Sequence, residues 1–405
     1  MLNSEMIRSQ FPQIGHKTNG HEIYYFDSAA TTLKHKNVVM ATERYYQEEC
    51  ANVHRGIHTL SEISTDRYEQ TREKLHHFIN SQGREEIIFT KGTTESINLV
   101  AKSWGESNLG PGDEIIISHM EHHSNIVPWQ MLCEKTGALL KIIPITDKGD
   151  IDLDAYTNLL STKTKIVSCV WASNTLGTIN PIEKMISMAH EKGAVFLVDA
   201  AQASSHIKID VQKLQCDFLA LSAHKMFGPT GVGLLYGKKD ILNQMPPLFG
   251  GGDMIDTVTF EKTTYNVLPQ KFEAGTPNIA GVIAWAEAID FIQATGVENI
   301  AEYEAELLAF ATEELTQVPG LRIIGTSKNK VAVISFVIED LHPHDIATLA
   351  NKYHIAVRTG HHCTQPIMER MKVPATVRAS FSVYNTQEEI IKLKEALIKI
   401  TELFG

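Results

Sequence analysis

The stretch "CDFLALSAHKMFGPTGVGLLYG", residues 216–237, decides how the chain is read. Two apolar runs flank a glycine-containing turn that holds Lys225. Neither run alternates polar with apolar residues. Strands of that kind are covered on both faces, the condition of a parallel sheet with helices on each side. Similar runs lie upstream at "EIIFT", "DEIIISH", "LKIIPI", "KIVSCVWAS" and "AVFLVDA", and helix-like stretches such as "TTESINLVAKSW" and "IEKMISMAHEKG" separate several of them. The alternation predicts an α/β fold whose large domain is built on a mainly parallel, doubly wound sheet.

Downstream the pattern changes. Residues 245–278 are rich in Gly, Pro and Thr and predict a long loop or hairpin, a feature often functional at this length. "GVIAWAEAIDFIQATG" and "NIAEYEAELLAFATEELTQV" then predict long helices, and "KVAVISFVI" and "TVRASFSVY" predict strands. A last helix opens at Thr386, with Glu389 three residues on, the pattern of a capping box. This part reads as a smaller α+β C-terminal domain. The expected division is an N-terminal segment, 1–20, packing with the small domain, a large domain over 21–280, and a small domain over 281–405. No internal repeat or low-complexity tract is evident.

Composition narrows the class. The chain has 405 residues, 43% hydrophobic and 21% charged, enough for a sizeable core. A net charge of −11 argues against nucleic acid as a partner. The opening residues carry no apolar signal core, and no run reaches the ~18 apolar residues of a membrane span. Five widely spaced cysteines fit free thiols in a reducing cytoplasm better than a disulfide framework. Of these, Cys363, in "RTGHHCTQP" (358–366), is flanked by polar chemistry.

In an open parallel sheet, ligands bind beyond the carboxyl ends of the strands. "KGTTES" follows the first strand, so Thr93 and Thr94 either cap a helix or form an anion site with its free N–H groups. "MEHHSN" places His122 and His123 after the next strand. Asp199 ends a very apolar strand and needs a donor or cation there, whether a salt bridge, a loop cap or a protonated ring nitrogen. Lys225 is either an exposed loop lysine or a desolvated amine able to condense with a carbonyl. Phosphate cradle, carboxylate, histidines and lysine together make the set that pyridoxal 5′-phosphate requires.

With these motifs the sequence resembles the fold-type I, class V pyridoxal-phosphate enzymes, and within them the group II cysteine desulfurases of the Suf type. The resemblance covers nearly the whole chain. It rests on "YFDSAAT" (25–31), "VHRGIHTLS" (53–61), "GTTESINLVA" (92–101), "MEHHSNIVPWQ" (120–130), "VDAAQ" (198–202), "SAHKMFGPTGVG" (222–233), "FEAGTPN" (272–278) and "RTGHHCTQP". Thr364 departs from the small residue expected after the cysteine. The resemblance implies that Lys225 holds the cofactor's aldehyde, Asp199 its ring nitrogen and Gln202 its ring oxygen. It implies that His122 stacks on the ring, although the sequence does not separate it from His123. Thr93, Thr94, Ser222 and His224 would hold the phosphate, and Thr276 would reach the cofactor of a second subunit, which makes the protein a homodimer. Arg378, helped by Asn174, would hold the substrate carboxylate; Ala29, His54, Arg55 and Arg358 would line the pocket.

Arg378 also follows from the pattern of "TVRASFSVY", where Val377, Ala379, Phe381 and Val383 share one face and Arg378, Ser380, Ser382 and Tyr384 the other. That second face fits either a carboxylate site or solvent. The expected reaction converts L-cysteine to L-alanine and leaves a persulfide on Cys363. An acceptor protein of the Suf system then takes the sulfur for iron–sulfur cluster assembly. Cys363 is expected on a mobile loop hinged at Gly360, with Arg358 and His361 supplying positive potential. Three rivals remain: a selenocysteine lyase acting on L-selenocysteine, a transaminase, and a non-catalytic metal protein using "HRGIH", "EHH" and "GHHC". The contiguity of the last two motifs argues against a metal.

Overall fold

The computed structural model describes Leu2 and residues 4–403. All seven predicted runs of the large domain are strands of one sheet. Across it the order is Ile87–Thr90, Gly233–Gly237, Phe218–Ser222, Val195–Asp199, Thr164–Val170, Glu114–Ser118, Leu139–Ile143. Gly233–Gly237 runs antiparallel to both neighbours, and every other pairing is parallel. Ile115, Ile116 and Ile117 illustrate why these runs are apolar throughout. All three are buried, with their side chains divided between the cores on the two faces of the sheet.

A second sheet takes the order Leu321–Ile324, Val333–Ile338, Thr376–Ser380, Arg358–Gly360, antiparallel throughout. Helices Val297–Leu315, Pro343–Lys352 and Gln387–Glu402 accompany it. The capping box at Thr386 and Glu389 is present. The Gly- and Pro-rich stretch carries a short hairpin, Ile255–Val258 with Thr263–Tyr265.

Two boundaries differ from expectation. Helix Ile279–Thr295 is apolar on nearly every side and packs against Lys36–Arg44 and Thr59–Ile79, within the core of the large sheet. The core of the large sheet therefore extends past residue 280, and Val297 and Ile300 at the start of the next helix still pack against it. Tyr24–Tyr25 pairs in parallel with Ile355–Ala356, and Phe26 is buried with the small sheet. The N-terminal segment touches both parts. Arg8 pairs with Glu389 at 2.7 Å, while the Phe11 ring packs edge-on against Phe227, Phe291 and Tyr384.

Among the described residues, no helix is long and apolar enough to cross a membrane.

Candidate functional site

Strand ends of the large sheet and one loop of the small sheet open onto a cavity of about 290 Å³. Gly92 follows the Ile87–Thr90 strand with φ at 150°, and a Cβ there would stand 3.2 Å from Ser222 Oγ. Only glycine fits that approach comfortably. It lets the Thr93 N–H donate to Ser222 Oγ at 2.8 Å, and the two hydroxyls lie 2.8 Å apart. Thr94, exposed in the first turn of the helix, joins them at the cavity wall.

The two adjacent histidines are separated by their partners. The Ser124 N–H donates to His122 Nδ1 at 3.1 Å, which leaves the ring proton on Nε2. Burial, with Lys225 next, lowers the His122 pKa to about 3, so the ring in the cavity is neutral. His123 instead braces the cysteine loop. Its N–H donates to the Cys363 carbonyl at 2.7 Å, and its Nε2 accepts from the Gln365 N–H at 3.1 Å.

Asp199 is 2% exposed and accepts from the Ala201 N–H at 2.9 Å. Burial raises its pKa, opposed by that hydrogen bond and by Lys225. Burial lowers the Lys225 pKa to about 8, with Asp199 acting the other way and Arg378 reinforcing the depression. The lysine backbone is held from outside the sheet. The His224 carbonyl accepts from the Thr32 N–H at 3.0 Å, the Thr31 and Thr32 hydroxyls at 3.1 Å each, and Lys34 Nζ at 3.0 Å. His224 itself is pushed down to about 4, by burial first, then by Lys225 and Lys34.

Arg378 is 2% exposed, so its face of the strand does not meet solvent. The strand stops at Ser380, short of the expected Tyr384, and both its faces are covered. Arg378 Nη1 donates to the Asn174 carbonyl at 2.9 Å and Nη2 to Asp27 Oδ1 at 3.0 Å. Its Nε–H is buried without a partner, as is Asn174 Oδ1. Arg358 reaches the same Asp27 through Nε and Nη2, which offsets the positive potential expected from it at Cys363. Gln202 Nε2 donates to the Ala29 carbonyl at 2.6 Å, and both residues line the cavity.

Cys363 is exposed at the cavity wall, with φ at +57° after His362 at +52°. The loop expected to be mobile about Gly360 is a short segment with several hydrogen-bonded anchors. Residues 361–364 join a strand directly to helix Gln365–Arg370. The His362 carbonyl accepts from Asn174 Nδ2 at 2.8 Å, and the buried Thr364 hydroxyl meets that of Thr175 at 2.7 Å. His362 Nε2 and Thr376 Oγ1 are 2.8 Å apart. Thr364 is thus an anchor, which explains a hydroxyl where a smaller side chain was expected.

His54, Arg55 and Thr276 lie outside the cavity. His54 pairs with Glu69 at 3.0 Å and Arg55 with Asp253 at 3.0 Å, while Thr276 borders a separate apolar pocket with Phe249 and Phe272. His58 caps helix Thr59–Ile79, so "HRGIH" forms no ligand pair. Sequence reasoning missed Asp27, Lys34, Ser124 and His362. Asp27, Ser124 and His362 each carried a signal, lying inside "YFDSAAT", "MEHHSNIVPWQ" and "RTGHHCTQP"; Lys34 carried none.

A primary amine of depressed basicity, a buried carboxylate and a cluster of hydroxyls and N–H groups surround one cavity that Arg378 and Asn174 also line. The chemistry of these residues fits pyridoxal 5′-phosphate: Lys225 would hold its aldehyde, Asp199 its ring nitrogen, and Thr93, Thr94, Ser222 and His224 its phosphate.

The family model for aminotransferase class V matches residues 24–393. A cysteine desulfurase of Escherichia coli K12 is 47% identical over 406 residues, covering 100% of both chains. One of Synechococcus elongatus is 50% identical over 394 residues, 97% of this chain but 63% of the relative's length. The apo structure of a cysteine desulfurase from Thermococcus onnurineus NA1 superimposes with a TM-score of 0.94 at 38% identity, covering 99% of each chain.

Proposed function

The chain belongs to the aminotransferase class-V family, and from that membership we infer that it is a pyridoxal 5′-phosphate-dependent cysteine desulfurase, which converts L-cysteine to L-alanine. The observation that carries the assignment is the shared cavity: Lys225, Asp199, Arg378 and Cys363 all line it. When bound, pyridoxal 5′-phosphate supplies an electron sink at the substrate's α-carbon.

We propose the following roles for the side chains. Arg378, a cavity-lining guanidinium, holds the substrate carboxylate, supported by Asn174. Lys225, with a pKa of about 8, takes the α-proton in its neutral form. His122 stays neutral and presents its Nε2–H to the cavity. The Cys363 thiolate forms a bond to the substrate sulfur as the carbon–sulfur bond breaks. The electron pair remains on carbon, which a proton completes as alanine, and Cys363 is left as a persulfide.

The finer assignment is a group II, Suf-type enzyme that passes this sulfur to an acceptor protein for iron–sulfur cluster assembly. The exposure of Cys363 supports transfer by approach of the acceptor to a fixed loop. We also read the protein as a homodimer in which Thr276 reaches the partner's cofactor phosphate. Exposed Ile57, Val258, Phe260 and Val267, on segments near Asp253 and Thr276, give that face the apolar character of an interface. The absence of disulfides among the described cysteines accords with a cytoplasmic setting.

Alanine release from L-cysteine by the yellow holoenzyme tests the assignment. Lys225→Ala abolishes it; a variant that still turns over removes Lys225 from the chemistry.

A further inference from the structure

Asp27 is the shared counter-ion of the two guanidinium groups in the cavity. Its Oδ1 accepts from Arg378 Nη2 at 3.0 Å, and its carboxylate takes Arg358 Nε at 3.0 and 3.1 Å and Nη2 at 2.8 Å. Arg378 is buried, with Nη1 on the Asn174 carbonyl and Nε left without a partner. Two cations and one anion leave a single positive charge at this end of the cavity. The histidines nearby, His122 and His362, are both held neutral by burial.

At the buried end of the cavity, where Arg378 is 2% exposed, an unpaired charge is costly, so the ligand bound best there is the one whose charge completes the site's own. One free positive charge matches a substrate with one carboxylate. A second carboxylate would compete with Asp27 for the same two forks. We propose that Asp27 is a specificity-determining residue, restricting the site to substrates with a single carboxylate by cancelling one of the two guanidinium charges. The proposal rests on the reading of Arg378 as the substrate-carboxylate ligand. On this reading aspartate-like and other dicarboxylic amino acids are refused, and the refusal belongs to a residue just after the Tyr24–Tyr25 strand, remote in sequence from both arginines.

Calorimetric titration of the holoenzyme with 3-mercaptopropionate and mercaptosuccinate tests this. Both lack the amine, and the second differs by one added carboxylate. In Asp27→Asn the ratio of the two affinities shifts toward mercaptosuccinate by at least about tenfold, one charge's worth of discrimination. A ratio unchanged from wild type overturns the proposal. Asp27→Asn also leaves two guanidinium groups facing each other and can lose both ligands through disorder. The double variant Asp27→Asn/Arg358→Gln restores the single positive charge, so it regains the wild-type ratio. If the double variant binds neither ligand, Asp27 acts only as a support and the proposal fails. Arg378→Gln separates this from the underlying reading: unchanged binding of 3-mercaptopropionate in that variant removes Arg378 as the carboxylate ligand, whatever Asp27 does.

Discussion

The Cys363 carbonyl accepts a hydrogen bond from the His123 N–H at 2.7 Å, which ties the loop carrying the thiol to the residue beside His122. Two neighbouring histidines therefore serve different ends. His122→Ala removes a neutral ring from the cavity and lowers alanine formation by about 100-fold or more, the usual range for a proton-handling group. His123→Ala removes one hydrogen bond to the Gln365 N–H, a loss of about 1 kcal/mol. It lowers alanine formation by less than about tenfold. Steady-state rates on L-cysteine check both, and equal losses would contradict the division of roles.

Ser222→Ala leaves the buried Thr93 N–H and hydroxyl without their shared partner. An unsatisfied buried donor costs about 1–3 kcal/mol. Both the melting temperature of the apoprotein and its affinity for pyridoxal 5′-phosphate are expected to fall, read by thermal melts and by absorbance titration. An unchanged affinity would separate Ser222 from the phosphate cradle.

Acid destabilises the apoprotein through its buried histidines. His122 and His362 are lowered to about 3 and His224 to about 4, in each case by burial first. Unfolded, each titrates near its ordinary value of about 6.5. Between these values the unfolded chain binds more protons than the folded one, so stability is fully present above the window, is lost as pH falls through it, and levels off below it. Denaturant midpoints across that window check the slope. His362→Asn removes one titrating group and flattens it; a slope identical to wild type would assign the effect to other groups.

Six strands of the large sheet were legible because they are apolar and buried on both faces, the edge strand Leu139–Ile143 because it stays largely apolar though part-exposed, and the capping box at Thr386 because it is a local signal. The site was legible where chemistry sits at a strand's end: Asp199, Ser222 and Lys225 each follow a run whose direction the sequence reveals. It was not legible where the partner is remote. Nothing in "TTLK" announces that Thr31, Thr32 and Lys34 close on the His224 carbonyl, more than 180 residues away. A division at residue 280 separates the apolar helix Ile279–Thr295 from the large sheet, whereas its burial lies with that sheet, a long-range contact the helix's own pattern does not reveal. His54 and Arg55 carry the residue types of a binding pocket, and only the fold shows them engaged with Glu69 and Asp253.

The central claim is that the Cys363 thiol receives the substrate's sulfur. Intact-mass measurement of the holoenzyme after reaction with L-cysteine, without reductant, tests it most directly. The wild-type protein is expected to gain the mass of one sulfur atom, located on the peptide containing Cys363, and Cys363→Ser to gain none while retaining the yellow cofactor. A sulfur adduct of equal yield in Cys363→Ser would contradict the account.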